Sequence, residues 1–361
     1  MGQDRDRSSP PIEIYGPEGL RQWLRVAIRY SVSRIVPNYM VHEFKNVPMA
    51  PEWKEVWNKR NGRRLFYYDA RKSRMERVNW GDYGNTDPSI DKTSWINRSN
   101  SEVVILPPEQ QFGEIAEGRD IYPVYNHPLA SRDNAPVYPV LDEGDVTVYA
   151  APMSHSIPCI GYVIQECSKP GRLKPEIITP IIQKNYKALK EAGYRLPMKV
   201  MATIKALPKG ESFTFPDGTV IRQEDVVEEE RIGRKIVICG DTSNPRSLEN
   251  LGQNADILVH EATNTYLPQF DKDTTLSETT QDAKSHGHST PYMAGAFARR
   301  IKAKKLILNH FSSRYKGDDT WESMCVMRCF EKQAMDGSRG WLTDENVISS
   351  WDFMTLPIPT N

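Results

Sequence analysis

Apolar and polar positions follow two different rhythms along this chain, and the change from one to the other marks out its elements. Residues 12–16 (IEIYG) read as a short strand that stops at Gly16-Pro17. Leu20, Trp23, Leu24, Ala27 and Ile28 then recur at the spacing of one helical face. A second strand is expected at 39–44. From about Pro48 to Asp145 the periodicity dissolves into a stretch rich in Pro, Asn and charge, which reads as an insertion carrying a few short strands. Regularity returns at 146–151 (VTVYAA) and 160–165 (IGYVIQ). Residues 169–222 are a second excursion, with a helix expected around 180–192 and a hairpin-like FTFPDGTVI at its end.

After residue 230 three apolar runs each finish on a polar residue. KIVICG leads to Asp241, DILV to His260-Glu261, and KLILN to His310. Helices fit at 246–253 and 291–302 between them, then at 320–334, and a last strand is expected at 346–356. Strand, loop and helix in repetition, with polar residues at strand ends, is how α/β layered folds build their sites.

Composition narrows the classes. Lys+Arg and Asp+Glu both total 47, so net charge gives no global pull toward nucleic acid or membrane. No apolar run approaches the length of a membrane span. The five cysteines include no CxxC pair and leave one over, which fits a reduced, intracellular protein; cytoplasm or nucleus is the first expectation, and an organelle stays open. Local charge is less even. Ten basic residues face two acidic ones between 169 and 210, and the 59–77 stretch holds eight basic and two acidic residues around Phe66, Tyr67 and Tyr68. Basic patches with interleaved aromatics are the footprint of nucleic-acid contact, although a solvated loop surface explains 59–77 equally well.

The chemistry is concentrated in four strings: SHSIP with His155, CGDTS with Asp241, HGHST with His288, and LNHFSSRY with His310. Five of the seven histidines lie between 155 and 310, next to apolar strand ends. A single such His is usually structural. Three in company with an Asp point to a metal, because imidazole and carboxylate are what zinc takes. Asp241 could bridge two cations, with His155 and His310 on either side. Two metals sharing a carboxylate are the usual apparatus for phosphodiester hydrolysis. Glu261, His288 and its neighbour Thr290 are candidates for proton transfer or for supporting the ligands. Cys159 and Cys239 flank the site and are expected to pack, and His42, His127 and His286 to be structural or solvent-facing.

GDTS, VHEAT, HGHST and NHFSSRY, in that order, resemble tRNase Z, the ElaC-type zinc phosphodiesterase branch of the metallo-β-lactamase superfamily, in its short form. IEIYGPEGL near the start and WDFMTLPIP at the end fit the same family. The resemblance implies an α/β metallo-β-lactamase-like αββα sandwich over residues 1–361, with two zinc ions per subunit. It implies an endoribonuclease that removes the 3′ trailer from precursor tRNA. His155 and His310 would each hold one zinc, Asp241 would bridge them, and Glu261 and His288 would lie beside them, His288 donating a proton to the leaving 3′-oxygen. Arg172, Lys174 and Arg314 would contact substrate. The 48–145 stretch would be an insertion, and 169–222 the protruding basic arm that clamps tRNA, commonly across a homodimer.

Two departures shape these expectations. The family's HxHxDH motif should precede IEIYGP by a few dozen residues, and eleven residues precede Ile12. The first strands and most zinc ligands would then be missing, so the chain as it stands is expected to be poorly soluble and not to cut RNA. The arm's Gly-Pro signature is replaced by Leu196-Pro197-Met198-Lys199. Beside the nuclease stand two alternatives: a non-catalytic relative that binds tRNA through the arm, and a hydrolase of small phosphodiesters, against which the basic arm argues.

Overall fold

A computed structural model of the chain describes residues 10–30, 37–51, 53, 66–69, 74–77, 113–131 and 134–358. It divides into two compact units, one of Met1–Gln165 with Lys235–Leu356, the other of Glu166–Arg234 with Pro357–Asn361. Most of the 48–145 insertion, and the basic residues of 59–77 outside one hairpin, lie outside the described residues. That hairpin pairs β3 (Phe66–Asp69) with β4 (Arg74–Arg77).

The first unit is built on two sheets. Parallel strands β1 (Ile12–Pro17), β2 (Tyr39–Phe44) and β5 (Asp120–Ile121) make a three-stranded sheet. The larger sheet has seven strands in the order β14-β13-β12-β11-β8-β7-β6. Its members are β6 (Tyr138–Asp142), β7 (Val146–Met153), β8 (Cys159–Glu166), β11 (Lys235–Ile238), β12 (Ile257–Glu261), β13 (Lys305–Asn309) and β14 (Val347–Ser349). Strands β11 to β14 run parallel, and β8 is antiparallel to β11. Successive strand residues point to opposite faces, which gives each sheet two interfaces. Phe44, Ile121, Tyr138, Val140, Ala150 and Ile160 form the layer between the sheets. On the opposite face of the large sheet, Ala151, Val163, Val237, Leu258, Leu306 and Leu308 meet helices α7 (Pro291–Arg300) and α8 (Trp321–Ser338).

Helix α1 (Leu20–Tyr30) covers the outer face of the small sheet and completes a helix–sheet–sheet–helix sandwich. It does so in a way the apolar spacing does not announce. Trp23 of the expected core stripe is 63% exposed, whereas Arg25 is buried. Arg25 makes a bidentate pair with buried Glu114, at 2.7 and 2.8 Å. Arg21 reaches Glu117, Asp120 and the carbonyl of Val41. Paired and hydrogen-bonded, two guanidinium groups can occupy an interface that unpaired charge could not.

Helices α7 and α8 touch through glycines. A Cβ on Gly295 would stand 1.8 Å from the carbonyl oxygen of Ala334, and one on Gly337 2.1 Å from that of Tyr292. Backbone cannot yield as a flexible side chain can. Gly295→Ala is therefore expected to destabilise the first unit by about 2 kcal/mol or more, as overpacking does, read as a fall in the chemical-denaturation midpoint. An unchanged midpoint would mean the helices separate freely.

The second unit has its own core. Ile178 and Ile182 of α2 (Pro175–Lys184), Leu189 of α3 (Tyr186–Glu191), and Val200 and Ile204 of α4 (Val200–Lys205) pack with Phe215, Ile221 and Val226. The expected hairpin is present as β9 (Ser212–Thr214) and β10 (Val220–Arg222), with Gly218 at φ +85° in its turn, followed by α5 (Gln223–Val226). The expected single helix over 180–192 is two, and the first starts earlier, at Pro175. Buried Asn185 separates them: its side chain donates to Ile181 O and accepts from Asp217 N of the hairpin turn, both at 3.0 Å. Glu166 and Arg234, the residues where the chain enters and leaves this unit, form an ion pair in which Nε and Nη2 each meet a carboxylate oxygen. Of the ten basic residues between 169 and 210, nine are exposed and Lys174 is half-buried.

Elsewhere two elements are shorter than expected. The 246–253 helix is a 3-10 turn at Arg246–Leu248, and the final strand is β14 alone. Helix α6 (Leu276–Ser285) was not anticipated from apolar spacing, although Thr275 and Glu278 form a capping box at its start. No described helix is long and apolar enough to cross a membrane.

Candidate metal centre

Four loops at the strand ends of the large sheet bring the expected residues together. Asp241 lies three residues past β11, His310 directly after β13, His155 two residues past β7, and Glu261 is the last residue of β12. Asp241 is the meeting point. Its Oδ2 lies 3.4 Å from His310 Nε2 and 3.9 Å from His155 Nε2. His310 has φ +55°, a left-handed conformation that non-glycine residues adopt at a cost and mostly at functional positions.

The orientation of both imidazoles follows from their other nitrogen. His155 is buried, and its Nδ1 lies 2.8 Å from the carbonyl of Gly287. A carbonyl only accepts, so Nδ1 carries a proton, and in the neutral imidazole the Nε2 lone pair is the one turned to Asp241. Gly287 has φ +85°, and a Cβ there would lie 2.6 Å from His155 Nδ1, so this contact requires glycine. Thr263 does the same for His310. Its hydroxyl is 2.6 Å from Glu261 Oε2 and 2.7 Å from His310 Nδ1. With its one proton given to the carboxylate, the hydroxyl accepts from His310 Nδ1–H, which in the neutral imidazole leaves the Nε2 lone pair for a metal. Thr263 did not figure in the sequence reading, and its place two residues after Glu261 in HEAT was the only signal.

Glu261 organises the second row. It is 1% exposed and accepts from Thr242 N at 2.7 Å, Thr263 N at 3.2 Å, the Thr263 hydroxyl and His288 Nδ1 at 3.1 Å. Burial pushes its carboxyl up, yet the bonds from His288, Thr263, Thr242 and Ser289 outweigh burial and hold it below the ordinary range. The bond to Glu261 raises His288 despite burial. The His288 ring stacks on His310 at 5.3 Å and tilts against His155 at 5.0 Å. Ser289 Oγ donates to Thr242 O at 2.6 Å, tying the HGHST loop to the GDT loop.

The paired shifts predict a pH window. Raised His288 contributes stability that is complete below its ordinary value, about 6.5, and is lost as pH rises through its folded value. Lowered Glu261 contributes stability present above its ordinary value, about 4.3, and lost as pH falls through its folded value. In metal-free protein, the stability difference between wild type and His288→Gln should peak at about pH 5–6.5 and shrink on either side. Urea unfolding across pH measures it, and a flat difference would refute the coupling.

Thr290, His260 and the two flanking cysteines take structural places. Thr290, considered above for proton transfer, is the N-cap of α7 and accepts from Met293 N, which fixes its role as a cap. His260 is fully buried against Phe297, with burial holding it neutral. Burial, and secondarily Asp241, pushes the Cys159 thiol up to about 11, and burial raises that of Cys239 too, so both are protonated packing groups. Arg314 pairs with Asp271 at 2.6 Å and lies over the Tyr315 ring at 5.1 Å. Arg172 and Lys174 lie in the second unit, where their backbones pair with Glu228 and Val226.

The donor set fits zinc. Neighbours around a tetrahedral zinc with bonds of about 2.0–2.2 Å stand roughly 3.4 Å apart, which His310 Nε2 meets at 3.4 Å from Asp241 Oδ2 and His155 Nε2 exceeds at 3.9 Å. His155, Asp241 and His288 each offer a ligand atom within 4.8 Å of one another, as do Glu261, His288 and His310.

No family model matches the chain. Its homologues are zinc phosphodiesterases and ribonucleases Z, at about 30% identity over most of the chain. Zinc phosphodiesterase ELAC protein 1 of Homo sapiens is 30% identical over 312 residues, 86% of this chain and 64% of that protein. Ribonuclease Z of Bacillus subtilis (strain 168) is 32% identical over 220 residues, 61% of this chain and 59% of that one. The chain thus spans less than two thirds of the length of either relative. The crystal structure of human tRNase Z, short form (ELAC1), is 23% identical, covering 97% of this chain and 69% of that one with a TM-score of 0.42. The sandwich described above therefore stands on its own strand order and packing.

Proposed function

We propose that this chain, a homologue of the ELAC1 zinc phosphodiesterases and ribonucleases Z, is a zinc-dependent endoribonuclease that removes the 3′ trailer from precursor tRNA. The observation that carries the reading is Asp241 set between two imidazoles whose Nε2 atoms both face it. Two zinc ions would share Asp241, with His155 holding one and His310 the other. When bound, zinc supplies a Lewis acid and a nucleophilic hydroxide at neutral pH. The residues do the rest. Thr263 and the Gly287 carbonyl keep both ligand imidazoles in the required tautomer. Glu261 favours the protonated form of His288, and His288 gives its proton to the 3′-oxygen as the P–O3′ bond breaks and water's oxygen is added to phosphorus. Arg172 and Lys174 of the second unit, its exposed basic surface, and Arg314 would contact the tRNA backbone. The protein would work inside the cell, as a homodimer.

Donor number favours a second reading. His155, Asp241 and His310 give two residues per ion, and hydrolytic zinc sites normally have three; the 361 residues contain no HxHxDH run. A chain that binds tRNA without cutting it would meet that arithmetic. Incubation with a precursor tRNA and zinc or manganese separates the two. Cleavage just 3′ of the discriminator base supports the nuclease, whereas salt-sensitive binding with intact RNA supports the binder.

A further inference from the structure

A cavity of about 700 Å³ opens in the first unit beside the loops that carry Asp241 and His288. Ser243 and Asn244 bring the GDT loop to its wall, and Ser285 brings the end of α6. Part of the lining is apolar and aromatic: Trp53, Met293 and Phe297. Part is cationic: Arg246, Lys284 and Arg300, with no carboxylate among the lining residues. Glu249 meets Arg300 at 3.4 Å but does not line the cavity. Trp53 is 6% exposed, and its indole Nε1–H has no acceptor among the described residues. That nitrogen is itself buried, so Trp53 meets the cavity through its ring and not through its N–H.

Aromatic wall and concentrated positive charge together describe one ligand chemistry. We propose that this cavity binds a nucleoside phosphate, with the base against the apolar wall of Trp53, Met293 and Phe297 and the phosphate among Arg246, Lys284 and Arg300. Its size falls within the roughly 300–1,000 Å³ of small-molecule sites. Base–aromatic stacking tolerates any base, and cationic side chains give the charge-assisted bonds a phosphate takes. An acidic peptide would use the cations and leave the indole wall idle. The site stands whether or not the chain cuts RNA, and the ligand is either a free nucleotide or one nucleotide of a bound strand.

The test is calorimetric titration of the zinc-free full chain at low salt with AMP, CMP and inorganic phosphate. The mononucleotides should bind at least about tenfold more tightly than phosphate, the ratio one added favourable contact gives. Lys284→Gln/Arg300→Gln, both at exposed positions, should weaken nucleotide binding by about tenfold or more with an unchanged melting temperature. Trp53→Phe should keep phosphate binding and lose part of the preference for nucleotides. A tetraribonucleotide binding about tenfold better than AMP would assign the site to bound RNA, and equal affinity to a free nucleotide. Phosphate binding as well as AMP, affinity untouched by the double variant, or binding of an acidic peptide in place of nucleotides would each overturn the proposal.

Discussion

Replacing Asp241 with alanine is expected to lower zinc affinity by at least about 100-fold and to abolish RNA cleavage, while leaving the fold intact. Loss of a mere outer partner of a metal ligand costs about 10–100-fold, and Asp241 is a carboxylate that both Nε2 atoms face, at 3.4 and 3.9 Å. Its side chain is 36% exposed, so truncation removes no core packing. Asp241→Asn keeps the shape and removes the charge, and should fail nearly as badly, because the charge is what offsets desolvation of the cation. Zinc content after dialysis and the denaturation midpoint are the two readouts. Retained zinc in Asp241→Ala would place the metal elsewhere.

His288→Ala should leave zinc bound and slow cleavage by about 10²–10⁴-fold, the usual contribution of a positioned general acid. Its Nδ1 is committed to Glu261 at 3.1 Å, which leaves Nε2 to carry the transferable proton. The Glu261 bond raises its pKa, favouring the protonated form a general acid needs. A substrate with a leaving group that needs no proton, such as a nitrophenyl phosphodiester, should lose far less rate in the variant. Equal losses on both substrates would assign His288 to holding the site together.

Residues at the strand ends were legible because the rim of a sheet is where a short apolar run stops and a rigid polar position begins. Each of His155, Asp241, Glu261 and His310 announces itself by its place after such a run, and the helices after 290 by plain periodicity. What escaped was set by polar partners distant in sequence. Helix α1 packs through Arg21 and Arg25 because Glu43 and Asp120 wait on the sheet and Glu114 and Glu117 in the segment leading into β5, and no 3.6-residue apolar pattern encodes that. Asn185 splits a continuous helical pattern by bonding to a turn 32 residues away. Helix α6 buries only Thr279 and Ala283, too little apolar surface to show a stripe, although its capping box was readable. Thr263 was hidden for a different reason. A hydroxyl that sets a tautomer matters only once Glu261, His288 and His310 have been brought around it.

The most direct test of this account is the zinc content of purified chain, measured by elemental analysis after dialysis against zinc and then against metal-free buffer, with Asp241→Ala and a His155→Ala/His310→Ala pair alongside. The account predicts bound zinc in the wild type that is lost in all the variants. Equal zinc in wild type and variants, or none in any of them at millimolar zinc, would contradict it.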